Sequence, residues 1–289
     1  MIYETLLLIS EVVLSAYPLL IKLVDASVVF QTGLRMIIYT ILAVAGASAV
    51  GAPLMPDVLF STETAATGFL NLLHVLSSYF AFDTLAAGNA MALFYTYPVW
   101  NILGSALVFK EKIPMKSLPW IALAFVGAVL LSQPTKTNWS VLGVAAALVA
   151  ALTETGIYLW FKSHKDDESD QPFTKMAQMY GSSGVLWIIG AIVLSAVGYF
   201  AKDTFKISLA GLGGVAAFNT FVGFAGYALR FYIIPKVSTV GFSAMSFFGV
   251  ISAYLLSWLF IGETPSMIQG LGAAAIITAN TVLLRKEIA

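Results

Sequence analysis

The chain has 289 residues, of which 59% are apolar and 10% are charged, and its formal net charge is zero. This composition is far more apolar than that of a soluble globular domain, so water is not the main solvent of the chain. A neutral chain has no bulk field that would draw it to a polyanion, which argues against nucleic-acid binding. The absence of cysteine excludes disulfides, iron–sulfur clusters and thiolate metal sites.

Apolar runs long enough to cross a bilayer recur along the whole chain. A helix needs about 20 mainly apolar residues to span the hydrocarbon core. The first run lacks the basic start and the cleavage site of a signal peptide, so it is predicted to be a transmembrane helix. The sequence predicts ten helices, near residues 2–24, 28–50, 64–82, 85–109, 116–133, 140–163, 173–200, 208–233, 238–261 and 264–286.

The ten predicted helices form two sets of five. A polar break near residues 133–138 separates them, so we predict a first repeat over residues 1–135 and a second over residues 136–289. With the N-terminus inside, most Lys and Arg residues fall on the cytoplasmic side, as the positive-inside rule favours. Because each half has an odd number of helices, the second half would enter the membrane in the inverted orientation. We therefore predict an all-α membrane protein of two inverted repeats around a central cavity, with both termini cytoplasmic.

The two halves also resemble each other in sequence. Residues 92–131 read like residues 244–283, since each segment has an aromatic-rich helix, an acidic turn and a small-residue helix. Glu111 and Glu263 align in this register. A carboxylate near a helix N-terminus is stabilised by the helix dipole, so we interpret both glutamates as helix caps.

Several short stretches resemble the drug/metabolite transporter superfamily, specifically its EamA-type members. They are Arg35 in the second span, residues 97–99 in the fourth, and residues 262–263 and 269–270 around the last turn. The resemblance covers nearly the whole chain and implies ten helices in two inverted halves, with a cavity lined mainly by the first four helices of each. Such proteins move amino acids, amines, nucleotide sugars or phosphorylated sugars, so the resemblance implies transport without naming a substrate. Members that exchange phosphorylated sugars have basic residues in the fourth and ninth helices, and this chain has none there.

Two carboxylates inside the apolar spans are the leading candidates for function. An ionisable group at bilayer depth is costly, so it tends to face a cavity. Glu11 lies near mid-membrane in the first helix, and Glu154 lies at a comparable depth in the sixth. Such groups suit proton coupling or the attraction of an ammonium group. The alternative is a structural pair with Arg35, Lys22 or a hydroxyl.

The third and fourth helices each present a polar face. Asn71 and His74 are one turn apart in the third, and Asn89, Thr96 and Trp100 follow the spacing i, i+7 and i+11 in the fourth. Both faces are predicted to line the cavity. His74 is a candidate proton carrier, although a lone histidine is more often a packed hydrogen-bonding group.

Arginine and aromatic residues complete the predicted site. Arg35 is equally a candidate clamp for a substrate carboxylate and a partner in a structural ion pair. Aromatic rings at the depth of the carboxylates are candidates for a cage around an organic cation, although most aromatic residues in such spans pack or form interfacial belts. The predicted substrate-binding or coupling residues are Glu11, Glu154, Tyr17, Arg35, His74, Tyr97, Trp100, Tyr158, Asn219 and Arg230.

Small residues and prolines predict packing and hinges. Gly223, Gly226 and Arg230 share a face of the eighth helix, where glycines favour a close helix neighbour over a bound substrate. Pro18 and Pro98 interrupt backbone hydrogen bonding, which predicts kinks that could serve alternating access.

The leading functional hypothesis is a secondary transporter of small polar metabolites, amino acids or related amines, by alternating access with proton coupling or exchange. One alternative is a nucleotide-sugar or sugar-phosphate antiporter, and another is a membrane receptor or scaffold without transport. Because no hydrolase, metalloprotease or P-loop motif occurs, we expect neither an enzyme nor a cofactor nor a metal site. The expected partners are a small-molecule substrate and the lipid bilayer, with the protein a monomer or homodimer. The identity of the membrane stays open.

Overall fold

The computed structural model describes residues 2–17, 21, 24–52, 61–85, 87–132, 140–164, 172–201, 204–261 and 266–288. Every regular element in these ranges is a helix, which confirms the predicted all-α class. Eight stretches are long and apolar enough to cross a membrane, from Val28–Ala49 to Thr239–Phe260, and Met267–Leu283 is a shorter apolar helix. The first helix is described over 13 residues. The count of ten spans stays a prediction.

Two helices of the first predicted repeat begin at serine caps. Serine caps begin α2 and α3, since the Ser27 and Ser61 hydroxyls each accept a backbone N–H bond from the first turn, both at 3.1 Å. The helices are α1 (Ile2–Leu14), α2 (Val28–Ala49), α3 (Thr62–Thr84), α4 (Ala87–Phe94), α5 (Tyr97–Val108) and α6 (Leu118–Ser132).

The second predicted repeat begins its helices in the same way. Ser140, Ser208 and Ser238 cap the helices that follow them. A π-helical segment, Asn219–Phe224, joins α9 to α10. The helices are α7 (Val141–Ser163), α8 (Pro172–Ala196), α9 (Leu209–Phe218), α10 (Ala225–Ile233), α11 (Thr239–Ser246), α12 (Phe248–Ile261) and α13 (Met267–Ile288).

The fourth and ninth predicted spans are both discontinuous. The fourth breaks between Phe94 and Tyr97, and Pro98 lies in the first turn of α5, where its missing N–H costs nothing. The ninth breaks at Phe247 without a proline. In the register that aligns residues 92–131 with 244–283, the two breaks coincide. Pro18, the other predicted hinge, lies outside the described residues.

The helices of the two predicted repeats interlock. The first helix of each packs on the third span of the other, α1 on α10 and α7 on α3. The second helices pack together, α2 on α8, and so do the fifth, α6 on α13. At the last interface Gly127 and Gly272 face each other so closely that a Cβ on Gly272 would lie 2.6 Å from the Gly127 carbonyl oxygen. Large apolar side chains such as Leu107 and Phe221 are exposed on the outside, as expected for a surface in lipid.

Candidate functional site

A cavity lies where the ends of α1 and α3 meet the end of α4. The space that the centre of a water molecule can occupy in it is about 50 Å³, which is room for a few water molecules or a small organic group. Both carboxylate and guanidinium groups face it. The lining residues are Glu11, Leu14, Ser15, Tyr17, Ile21, Arg35, Ser78, Tyr79, Phe82, Met91, Phe94, Tyr95, Tyr97, Tyr227 and Arg230.

A row of four buried ionisable side chains begins at the cavity wall. Arg230 bridges two carboxylates, with Nη1 3.0 Å from Glu11 Oε1 and Nη2 2.8 Å from Glu154 Oε1. The other oxygen of Glu154 lies 3.3 Å from His74 Nε2. All four side chains are almost fully buried. We call Glu11, Arg230, Glu154 and His74 the charge chain, and it joins four helices, α1, α10, α7 and α3.

His74 contacts Glu154 through one ring nitrogen and the backbone through the other. Nδ1 lies 3.1 Å from the Ala150 carbonyl oxygen and 3.4 Å from the Thr153 hydroxyl. With hydrogen on Nε2 alone, the neutral imidazole donates to Glu154. With hydrogen on Nδ1, the ring donates to Ala150, and a second proton between Nε2 and Glu154 is needed for the bond to the carboxylate. The pair can therefore take up and release a proton.

Residues from the broken helices and the aromatic core hold the two ends of the charge chain. The Ser246 hydroxyl, at the end of α11 beside the second break, donates to Glu11 Oε1 at 3.3 Å. The Arg230 guanidinium carbon lies 5.1 Å from the ring centroids of both Tyr97 and Phe242. These contacts fix the arginine between its carboxylates, so the breaks in the two helices border the charged part of the cavity.

Arg35 lies in different surroundings. Four tyrosine rings, those of Tyr17, Tyr39, Tyr79 and Tyr227, have centroids 4.7 to 5.7 Å from its guanidinium carbon. We call these four the tyrosine box. Arg35 is 1% exposed, its Nε has no hydrogen-bond partner, and none of the ion pairs among the described residues includes it. A cation–π contact contributes about 0.5–2 kcal/mol, whereas burying an ion costs several kcal/mol.

Local helix geometry assembles the tyrosine box. Tyr39 follows Arg35 by one turn of α2, so the two side chains lie on one face. The hydroxyls of Tyr17 and Tyr39 contact each other, and both lie where a Cβ at Gly223 would be. Gly223 is in the π-helical segment and leaves room for them. The glycine face predicted for packing therefore does pack, with Leu14 against Gly226 in addition.

A second polar cluster joins α5, α7 and α11 at the other end of the interior. Lys162 Nζ lies 2.9 Å from Glu111 Oε1, and the Thr239 hydroxyl donates to Glu111 Oε2 at 2.7 Å. Lys162 also donates to Thr239, whose hydroxyl lies 3.1 Å from Tyr158 and 3.2 Å from Ser105. We call these five residues the polar clamp.

Glu111 precedes the next helical turn by several residues, so the capping role predicted for it is wrong. Glu263, the other predicted cap, lies outside the described residues.

The structure brings most of the predicted site residues together. Glu154 and His74 lie behind Arg230, and Asn219 accepts a hydrogen bond from the Tyr17 hydroxyl at 3.4 Å. Tyr158 belongs to the polar clamp instead. Trp100 is 39% exposed and bonds to Thr96 of its own helix, so the structure does not bring it to the cavity. Five of the predicted residues line the cavity: Glu11, Tyr17, Arg35, Tyr97 and Arg230.

Sequence reasoning missed three rings of the tyrosine box, Tyr39, Tyr79 and Tyr227. Two of them had a signal, since Tyr39 is one turn from Arg35 and Tyr227 is one turn from Arg230. Among the described residues there is no group of three or more His, Asp or Glu side chains suited to a metal ion.

Comparisons with known proteins concern the family and the fold. Residues 1–133 match the model of the EamA-like transporter family. An uncharacterized transporter of Bacillus subtilis, YdfC, is 22% identical over 233 residues, which cover 77% of this chain and 71% of the relative. One from Archaeoglobus fulgidus is 22% identical over 208 residues, 70% of each chain. A solved crystal structure, 15% identical, covers 97% of this chain and 96% of its own with a TM-score of 0.76, which shows a shared fold.

Proposed function

We propose that the chain carries amino acids or related amines by alternating access through the central cavity. It is an integral, multi-pass membrane protein, and residues 1–133 match the model of the EamA-like transporter family. The observation that supports this most is the charge chain. It places two carboxylates and one arginine in the interior of a membrane protein, with Glu11 and Arg230 at the wall of the cavity.

The charges in the chain do not balance without a further cation. Glu11 and Glu154 carry two negative charges and Arg230 one positive charge. A structural pair needs only one carboxylate, so the second calls for a proton or a ligand. We propose that a proton between His74 and Glu154 supplies this charge when the cavity is empty. An ammonium group beside Glu11 would supply it when substrate is bound, which couples substrate to protons.

The cavity suits a small amine better than a sugar nucleotide or a sugar phosphate. Glu11 in its wall repels a phosphate dianion. Aromatic rings line much of the remainder, among them Tyr95, Tyr97 and Phe94. Rings and a carboxylate together attract an organic cation.

The cavity and the polar clamp support the alternation of access. The cavity is lined by the ends of α1 and α3, whereas the clamp lies at the end of α5, the end of α7 and the start of α11. In a chain of successive crossings these are opposite faces of the membrane. The clamp ties Glu111 of the first predicted repeat to Lys162 and Thr239 of the second, so this state is closed at that end.

We further propose inverted repeats with both termini on the cytoplasmic face. The reciprocal packing of first helix on third span and the two breaks at aligned positions support a two-fold relation between residues 1–135 and 136–289. Under the positive-inside rule the clamp is then cytoplasmic and the cavity faces outward.

Uptake into proteoliposomes tests the proposed function. Purified protein is reconstituted, and labelled L-phenylalanine, L-leucine, phenethylamine and glucose 6-phosphate are presented with and without an imposed pH gradient. We expect uptake of an amino acid or amine that follows the gradient, and none of the sugar phosphate. Strong exchange of glucose 6-phosphate alone would establish the antiporter alternative. Binding of an amino acid to the purified protein with no flux in sealed vesicles would favour the receptor alternative.

A further inference from the structure

We propose that Arg35 in the tyrosine box is the binding site for a carboxylate of the substrate, so that the protein selects amino acids over the corresponding amines. This rests on the proposed function, and it names the substrate class more narrowly. The observation is a guanidinium at the cavity wall that is buried, lies among aromatic rings, and forms no ion pair among the described residues.

The surroundings of Arg35 leave its Nε hydrogen-bond donor unused. A guanidinium presents five N–H groups in one plane, and the four rings of the tyrosine box lie around it. Its Nε has no partner, and its bond from Nη2 to the Tyr180 hydroxyl is long, at 3.5 Å. A carboxylate that entered the cavity would accept two parallel N–H bonds in the same plane. Arg35 would be the cation of this pair, and the substrate carboxylate in the cavity would be the anion.

The charge distribution around the cavity favours a carboxylate over a phosphate. Arg230 is already shared by Glu11 and Glu154, so Arg35 is the cation at this wall that has no carboxylate among the described residues. The single positive charge of Arg35 would balance the single negative charge of one carboxylate. A phosphate dianion would need a second cation and would also meet Glu11.

The same geometry suits a zwitterion. Tyr227 contacts Arg35 and lies one turn before Arg230 on α10, so the tyrosine box and the charge chain are adjacent along one helix. A substrate carboxylate at Arg35 would leave its ammonium group on the side of Glu11, which also lines the cavity. The carbon side chain would then lie against the aromatic lining.

Matched ligand pairs on the purified, full-length protein test this inference. Apparent stability is followed by thermal unfolding in detergent with L-phenylalanine against phenethylamine, L-leucine against isoamylamine, and acetate against inorganic phosphate. In the wild type we expect each amino acid to bind about tenfold or more tightly than its amine, because a charge-assisted bond is lost with the carboxylate. Acetate should stabilise the protein more than phosphate does.

Two variants and a control locate the effect. Arg35→Gln should bring each amino acid to the affinity of its amine, and Arg35→Lys should keep part of the difference, since lysine keeps the charge without the paired donors. Arg285→Gln, at an exposed arginine of α13, should behave like the wild type. If the Arg35 variants do not fold, the matched ligand pairs measured on the wild type still show whether the protein prefers a carboxylate.

The outcomes separate this inference from the proposed function. Equal binding of amine and amino acid to the wild type, no stabilisation by any carboxylate, or preference for phosphate over acetate would each overturn the carboxylate site. If amines cross the membrane as fast as amino acids, the proposal of transport is supported and the carboxylate site at Arg35 is contradicted. If the amino acids bind through Arg35 but none crosses, the carboxylate site is supported and transport is contradicted.

Discussion

Two arginines are buried to a similar degree in this protein, at 4% exposure for Arg230 and 1% for Arg35, yet their surroundings are opposite. Arg230 lies between two carboxylates at 3.0 and 2.8 Å, whereas Arg35 is enclosed by tyrosine rings. In both residues Nε has no hydrogen-bond partner, so the difference is in the counter-charge. A buried arginine with its carboxylates in place holds helices together, and one without them is open to an anion from outside.

The largest expected effect separates the two arginines by stability. Arg230→Gln leaves Glu11 and Glu154 buried without the cation between them, which should lower the free energy of unfolding by about 3–5 kcal/mol. Arg35→Gln removes a buried charge that lacks a carboxylate, so it should cost clearly less. Chemical unfolding of both variants in the same detergent provides the measurement. Equal losses would show that Arg35 is held by its own structural pair.

The next effect concerns the tyrosine box without touching either arginine. Gly223→Ala places a methyl group where the hydroxyls of Tyr17 and Tyr39 lie, so overpacking should cost about 1–3 kcal/mol. Gly214→Ala is the matched control, because a Cβ there meets nothing within 4 Å. Thermal unfolding of the pair measures the difference. A Gly223 variant as stable as the control would mean that the hydroxyls need not occupy that space.

A smaller effect is expected at another buried cation, Lys162 of the polar clamp. Lys162→Gln removes its ion pair with Glu111 and should shift the population toward a state open at the clamp by about tenfold, or ~1.4 kcal/mol. Because the chain has no cysteine, Asn101→Cys gives a single thiol, at a position that is fully buried here. Its maleimide labelling should rise with Lys162→Gln and stay unchanged with Lys236→Gln. Equal labelling in all three backgrounds would contradict the clamp.

The subtlest prediction concerns the proton at the far end of the charge chain. His74→Gln keeps a side chain that can bond to Glu154 but cannot carry the proton. We expect uptake of the transported amino acid to continue while losing its response to an imposed pH gradient. Parallel uptake assays with and without the gradient measure this. A response as large as that of the wild type would assign the proton to another group.

The sequence predicted the charged part of the site well and the aromatic part poorly. Glu11, Arg35 and Arg230 stand out because an ionisable residue in an apolar span is rare and needs a reason. Tyrosine gives no such signal, since it also packs in cores and at membrane interfaces. The pairing of Arg230 with both carboxylates was not predictable, because it depends on how helices distant in sequence pack.

Trp100 illustrates how a local break defeats a periodic prediction. Its place on a lining face assumed one continuous helix from Asn89, with the spacing i, i+7 and i+11. The chain breaks between Phe94 and Tyr97, which changes the direction of the side chains that follow. Trp100 therefore turns outward and bonds to Thr96. The proline marked this hinge in advance, but not its effect on the register.

Uptake of the transported amino acid by Glu11→Gln protein in proteoliposomes tests most directly whether the charge chain handles the cargo. We predict that the folded variant loses about 100-fold of its uptake, because a buried charged partner is removed. Glu63→Gln, at an exposed carboxylate of α3, should transport like the wild type. Wild-type uptake by a folded Glu11→Gln protein would contradict the account.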